Sequence, residues 1–152
     1  MRLSPDQQLV LQNAVRHART VPGLCDRVDA LYAEVQAAIS ARKPRCDVSG
    51  RCCQFEKFGH LLFVSTLELA AFAARRPEND LPDADGCRYQ INGLCTAHAV
   101  RPFGCRVFFC DPTAEAWQEE QYEHFHTRLK QMHDELGVPY LYVEWRQGLS
   151  VL

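Results

Sequence analysis

The sequence has 152 residues, 47% of them hydrophobic and 24% charged, with a formal net charge of -2. That length suits one domain with its own core, and those fractions lie near soluble globular averages, which argues against a disordered chain. The charge balance offers no basic face for a nucleic-acid duplex, and the one dense basic stretch, Arg42, Lys43, Arg45 and Arg51, brackets a cysteine.

The opening residues, MRLSPDQQLV, lack the apolar segment of a secretory signal, and no apolar run approaches the ~18 residues of a membrane span. A reducing cytoplasm is the expected setting, without membrane or nucleic-acid partners. Disulfides rarely persist there, and thiolates commonly act as metal ligands or redox groups. Eight cysteines exceed what packing asks of a reduced chain this size.

The expected fold is mostly α with minor short β, a single domain over residues 1–152 in three sections. Residues 1–43 read as a helical hairpin. Ser4-Pro5-Asp6-Gln7 is a capping box with Pro at the first helical position, giving a helix to about Thr20. A second helix runs from about Pro22 to Ala41, with Leu24, Val28, Leu31, Val35 and Ile39 on one face.

Residues 44–112 form a cysteine-rich core. His60–Val64 predicts a short strand, and Ser65-Thr66-Leu67-Glu68 caps an Ala-rich helix ending before Pro77. Residues 77–85 read as a loop, and Tyr89–Leu94 around Asn92-Gly93 as a tight turn. In the last section, residues 113–152, Asp111 caps and Pro112 starts a helix that Gly137 stops after Leu136. Trp117, Phe125, Leu129, Met132 and Leu136 share one side, with Tyr122 at its margin. After Pro139, Tyr140–Trp145 predicts a terminal strand.

Seven of the eight cysteines fall into two blocks. The first is C-x5-C-C, with Cys46, Cys52 and Cys53. The second is C-x7-C-x2-H-x6-C-x4-C, with Cys87, Cys95, His98, Cys105 and Cys110. Cys25 stands apart beside the apolar face of the second helix and reads as core. Four thiolates must converge at about 2.3 Å on a zinc ion, or on the corners of an iron–sulfur cluster. A long segment between the blocks lets two loops approach from opposite sides. Adjacent Cys52 and Cys53 point opposite ways in extended chain, so both bind only through a turn at Gly50-Arg51.

Four thiolates around a dication leave about two negative charges, which are costly to bury unpaired. Arg45, Arg51, Arg88 and Arg106 each adjoin a cysteine, and Arg101 lies between Cys95 and Cys105. Guanidinium groups suit that charge. No pair has the C-x2-C spacing of a zinc knuckle or thioredoxin-like motif.

The segments CDVSGRCC and GCRYQINGLCTAHAVRPFGCRVFFC resemble the YkgJ-like cysteine-cluster family, zinc- or iron-chelating domains of the CxxxCxxCC type. The resemblance covers about Cys46 to Cys110. It implies that Cys46, Cys52, Cys53, Cys87, Cys95 and Cys105 correspond to the family's cysteines, and that Arg101-Pro102 with Arg106 correspond to its R-P-x2-C-R element. Two positions depart from the pattern. Ser49 replaces a cysteine of the first block, and His98 stands where many members carry Tyr. Cys110 or His98 would then complete the ligand set. The resemblance implies metal binding, not a particular reaction.

Other histidines read as ordinary surface groups. Glu123 and His126 have the spacing of half a di-iron site, but no second Glu-x2-His exists. His124 and His126 cannot share a helix face, whereas His126 and His133 can. His60 precedes the strand and is a weaker ligand candidate. Three functions follow: a module holding zinc or an iron–sulfur cluster; an iron–sulfur enzyme or electron carrier, oxidoreductase- or protein-methylase-like; and a metal-free thiol protein with Cys52-Cys53 as a redox pair.

Overall fold

The computed structural model describes residues 2–46, 61–77, 86–109 and 111–152, and these are mostly helical. Helix α1, Pro5–Arg19, opens on the expected capping box. The Ser4 hydroxyl accepts from the Gln7 N–H at 3.2 Å, and the Gln7 side chain accepts from the Ser4 N–H at 2.9 Å. Helix α2, Leu24–Arg42, starts later than its sequence suggests, because the chain turns through Pro22 and Gly23 first. Leu24, Val28, Leu31, Val35 and Ile39 are all buried, each contributing roughly 1.5–3 kcal/mol by leaving water. Both helices take a third helix, α3 (Thr66–Arg75), as a partner: α1 lays Leu11, Ala14, Val15 and Ala18 inward, and α2 packs beside it.

Strand β1, Phe63–Ser65, leads straight into α3, whose residues Thr66 to Phe72 are all buried. A helix that starts inside the protein must find acceptors for its first N–H groups. Each one does. The Ser65 N–H donates to Glu68 Oε2 at 2.8 Å, and the Glu68 N–H to the Ser65 hydroxyl at 3.4 Å. The Thr66 N–H donates to the Leu141 carbonyl at 3.1 Å, and the Leu67 N–H to His133 Nε2 at 3.2 Å.

Strands β2 (Gln90–Ile91) and β3 (Leu94–Cys95) form the expected hairpin, with Asn92 (φ 53°) and Gly93 (φ 78°) both left-handed, as a two-residue primed turn requires. Helix α4 spans Phe103–Val107. Asp111 caps as expected, its Oδ1 accepting from the Thr113 N–H at 3.0 Å, but Pro112–Ala114 form a 3-10 turn before helix α5, Glu115–Leu136. Gly137, at φ 65°, ends α5 in the left-handed conformation.

The chain terminus differs from expectation. Strand β4 covers Tyr142–Glu144 and pairs antiparallel with β1, Val64 opposite Val143. Trp145 is not in the strand; it opens helix α6, Trp145–Leu149. The reason is the Glu144 carboxylate, which accepts the Gln147 N–H at 3.1 Å and so caps a helix. Trp145 then packs edge-on to Phe72 at 4.8 Å and tilted against Tyr89 at 6.4 Å, sealing the core beneath the hairpin. Ion pairs Arg27–Glu135, Arg128–Glu34 and Arg75–Asp29 join α2 to α5 and α3 at the surface, each worth up to ~1 kcal/mol.

Candidate metal centre

Cys46, Cys87, Cys95, His98 and Cys105 lie within the described residues; Cys52, Cys53 and Cys110, together with Ser49, Arg51 and His60, lie outside them. The first block begins where α2 ends. Lys43 adopts a left-handed conformation (φ 54°) and turns the chain outward, its N–H still bonded to the Ile39 carbonyl at 2.8 Å. Two residues on, the Arg45 N–H donates to Asp111 Oδ2 at 3.0 Å, while the Arg42 guanidinium donates to the Thr113 carbonyl at 3.1 Å. The residue before Cys46 is thereby fastened to the residue after Cys110. Hydrogen bonds from the Thr113 hydroxyl and from the Arg45 N–H hold the Asp111 carboxyl below its ordinary range, so it stays an acceptor.

Cys87 enters the hairpin. Its carbonyl accepts from the Gln90 N–H at 3.0 Å, and its sulfur receives the indole N–H of Trp145 at 3.4 Å. Cys95 lies on β3 opposite Gln90, and both the Thr96 N–H and hydroxyl donate to the Tyr89 carbonyl at 2.7 Å. Cys105 sits inside α4, held by its N–H to the Pro102 carbonyl at 3.1 Å. These three thiols are half-buried, whereas Cys46 is exposed.

The R-P-x2-C-R arginines act first on the backbone. Arg106 donates to the Arg101 carbonyl at 2.9 Å and the Ala99 carbonyl at 3.1 Å, and its guanidinium lies 4.0 Å from the centre of the Tyr32 ring. It therefore clamps the turn carrying His98 onto α2. Its charge would offset a thiolate at Cys105. Arg101 donates to the His98 carbonyl at 2.5 Å and to its Nδ1 at 3.1 Å. A guanidinium only donates, so Nδ1 is bare and the neutral ring carries its proton on Nε2. In this arrangement neither ring nitrogen offers a metal a lone pair; ligation by His98 requires Arg101 to let go. Lost solvation, then the charges of Arg101 and Arg106, push the imidazole below its ordinary value and keep it neutral.

Among the described residues no three Cys, His, Asp or Glu side chains are grouped to hold a metal ion. A four-thiolate set would therefore draw on Cys52, Cys53 or Cys110. The chemistry of the described donors suits a thiophilic ion: half-buried sulfur at the core edge, one beside a guanidinium and one receiving an N–H. Compared with protein families, with curated proteins and with solved structures, the chain has no match.

Cys25 is half-buried in the first turn of α2 and packs against the core, beside Arg19, Asp26 and Ala74. Two histidines depart from the surface reading. His133 is fully buried, its Nδ1 donating to the Leu129 carbonyl at 2.8 Å while Nε2 accepts from Leu67. His126 is half-buried and bonded through Nε2 to the Tyr140 hydroxyl at 2.7 Å, with Tyr142 tilted beside it at 4.7 Å; Glu123 remains exposed.

Glu68 completes the expected capping box and has a second role that the motif does not signal. Besides capping α3, its Oε1 accepts the Phe103 N–H at 2.8 Å, so one carboxylate serves the starts of both α3 and α4. Burial raises its pKa against the lowering effect of those N–H groups. Through Phe103, the buried acid fixes the start of the short helix that carries Cys105.

Proposed function

We propose that this chain is a metal-binding cysteine-cluster protein, a member of the YkgJ-like type, holding zinc or an iron–sulfur cluster between its two cysteine blocks. The observation that carries the reading is the bond from the Arg45 N–H to the Asp111 carboxylate, across 66 residues. It fastens the start of the first block to the end of the second, which is what a site fed by both blocks requires. The thiol positions along the hairpin and α4, and the arginines that fix the intervening turn, support it. Bound there, zinc would brace the middle section, and an iron–sulfur cluster would add electron transfer. The chain's own contribution is to present sulfur, offset its charge with Arg106, and order the backbone before the metal arrives.

Anaerobic purification followed by metal analysis and a visible spectrum tests this. Stoichiometric zinc in a colourless protein, or iron with sulfide in a brown one, is expected. Cys105→Ser should lose the metal, whereas Cys25→Ser should keep it. A folded protein without either metal overturns the proposal, as does full occupancy in Cys105→Ser.

A further inference from the structure

We propose that Trp145 is a positioning residue for this centre, its indole N–H holding the Cys87 sulfur as a hydrogen-bond acceptor and supporting the metal bound there. The inference rests on the metal-binding reading above. An indole N–H can only donate, so at 3.4 Å the sulfur must accept. Sulfur accepts best when it carries charge, as a thiolate or metal-bound sulfur does. Trp145 is 2% exposed, and a buried donor with no acceptor loses free energy.

The indole is aimed by groups outside both cysteine blocks. Phe72 meets it edge-on, the Trp145 backbone N–H donates to the Leu62 carbonyl at 2.7 Å, and the Glu144 cap sets the helix on which it stands. That packing fixes the ring without needing the sulfur. The N–H direction is thus fixed in advance, and the sulfur is brought to it. Outer hydrogen bonds to a ligand sulfur orient it and tune the affinity or potential of the metal. The terminal strand and helix, which contain no cysteine, thereby become part of the centre.

Trp117 and Trp145 give two indole N–H signals in a proton–nitrogen NMR spectrum, and W117F leaves Trp145 alone. Metal-free, reduced W117F protein is titrated with zinc under argon. A protein purified with iron and sulfide is instead compared with its stripped form. The Trp145 signal should shift in step with metal uptake, or broaden beside a paramagnetic cluster, and Cys87→Ala should abolish the response. W145F should weaken metal binding about 10- to 100-fold. Uptake of metal by W117F with an unmoved indole signal overturns the inference while leaving the metal reading standing. So does a folded W145F of unchanged affinity. A protein that takes up neither zinc nor iron overturns both. The W117F measurement keeps Trp145 in place, so it stands even if W145F fails to fold.

Discussion

Replacing His133 with Gln isolates what a neutral imidazole does at the start of α3. The ring is buried between α5 and α3, donating from Nδ1 to Leu129 and accepting at Nε2 from the Leu67 N–H. Protonating Nε2 would set N–H against N–H and place a positive charge at a helix start, where the dipole is already positive. Burial therefore depresses the native pKa, opposed by the bond to Leu129 and the nearby Asp134. The sign follows. Between the depressed native value and about 6.5, the unfolded chain binds the extra proton, so stability is complete above pH ~6.5 and falls as the solution is acidified. One such group costs up to about 1.4 kcal/mol per pH unit across that window. Glu68 works in the opposite sense, its raised native value giving stability that is greatest in acid, but it is present in both proteins and drops out of the comparison. In H133Q the side-chain amide carbonyl can accept from Leu67, and the amide carries no titrating proton. Urea unfolding of the native protein and H133Q at pH 7.5 and 5.5 is the assay. The native protein should lose more stability on acidification; equal losses refute the role assigned to the imidazole.

Three further substitutions follow from single contacts. Glu68→Gln, isosteric but not equivalent, turns an amide NH2 toward one of two backbone N–H donors, so it should cost roughly 1–3 kcal/mol in urea unfolding and disturb α4. Arg106→Lys cannot span the Ala99 and Arg101 carbonyls while covering Tyr32; about 1–3 kcal/mol of lost stability, with faster amide exchange at residues 98–101, is expected. Gly137→Ala meets no neighbouring atom, yet its φ of 65° should cost about 1–2 kcal/mol, or a few degrees in Tm.

What the sequence made legible was whatever is written locally. The Ser4 and Ser65 capping boxes, the spacing from Leu24 to Ile39, the Asn92-Gly93 turn and the Gly137 stop each depend on residues a few places apart, and each forms as read. The misreadings share one cause. Ser4 and Ser65 begin the same motif, but one lies at the surface and the other inside. The difference lies in α3 as a whole, where Leu67, Leu69, Ala70, Ala71 and Phe72 leave no polar stripe to signal an outward face. Once that start is buried, its N–H groups recruit His133, read from the sequence as a surface group, beside the capping Glu68. Likewise Trp145 reads as a strand residue until the Glu144 carboxylate is seen capping the helix that Trp145 opens.

The ties around the cysteines explain why spacing carried the site only part of the way. Arg45 reaches Asp111 through its backbone N–H, and Arg106 reaches Ala99 and Arg101 through their carbonyls. Nearly every residue has such groups, so no motif advertises them. Trp145 meets Cys87 from 58 residues away through a donor that also suits a strand or a core. The proposed ligands are thus written in the sequence as a pattern of sulfur. Their supports are written as a fold, so on the proposed function altering a support such as Arg106 or Trp145 should weaken metal binding without removing a single sulfur.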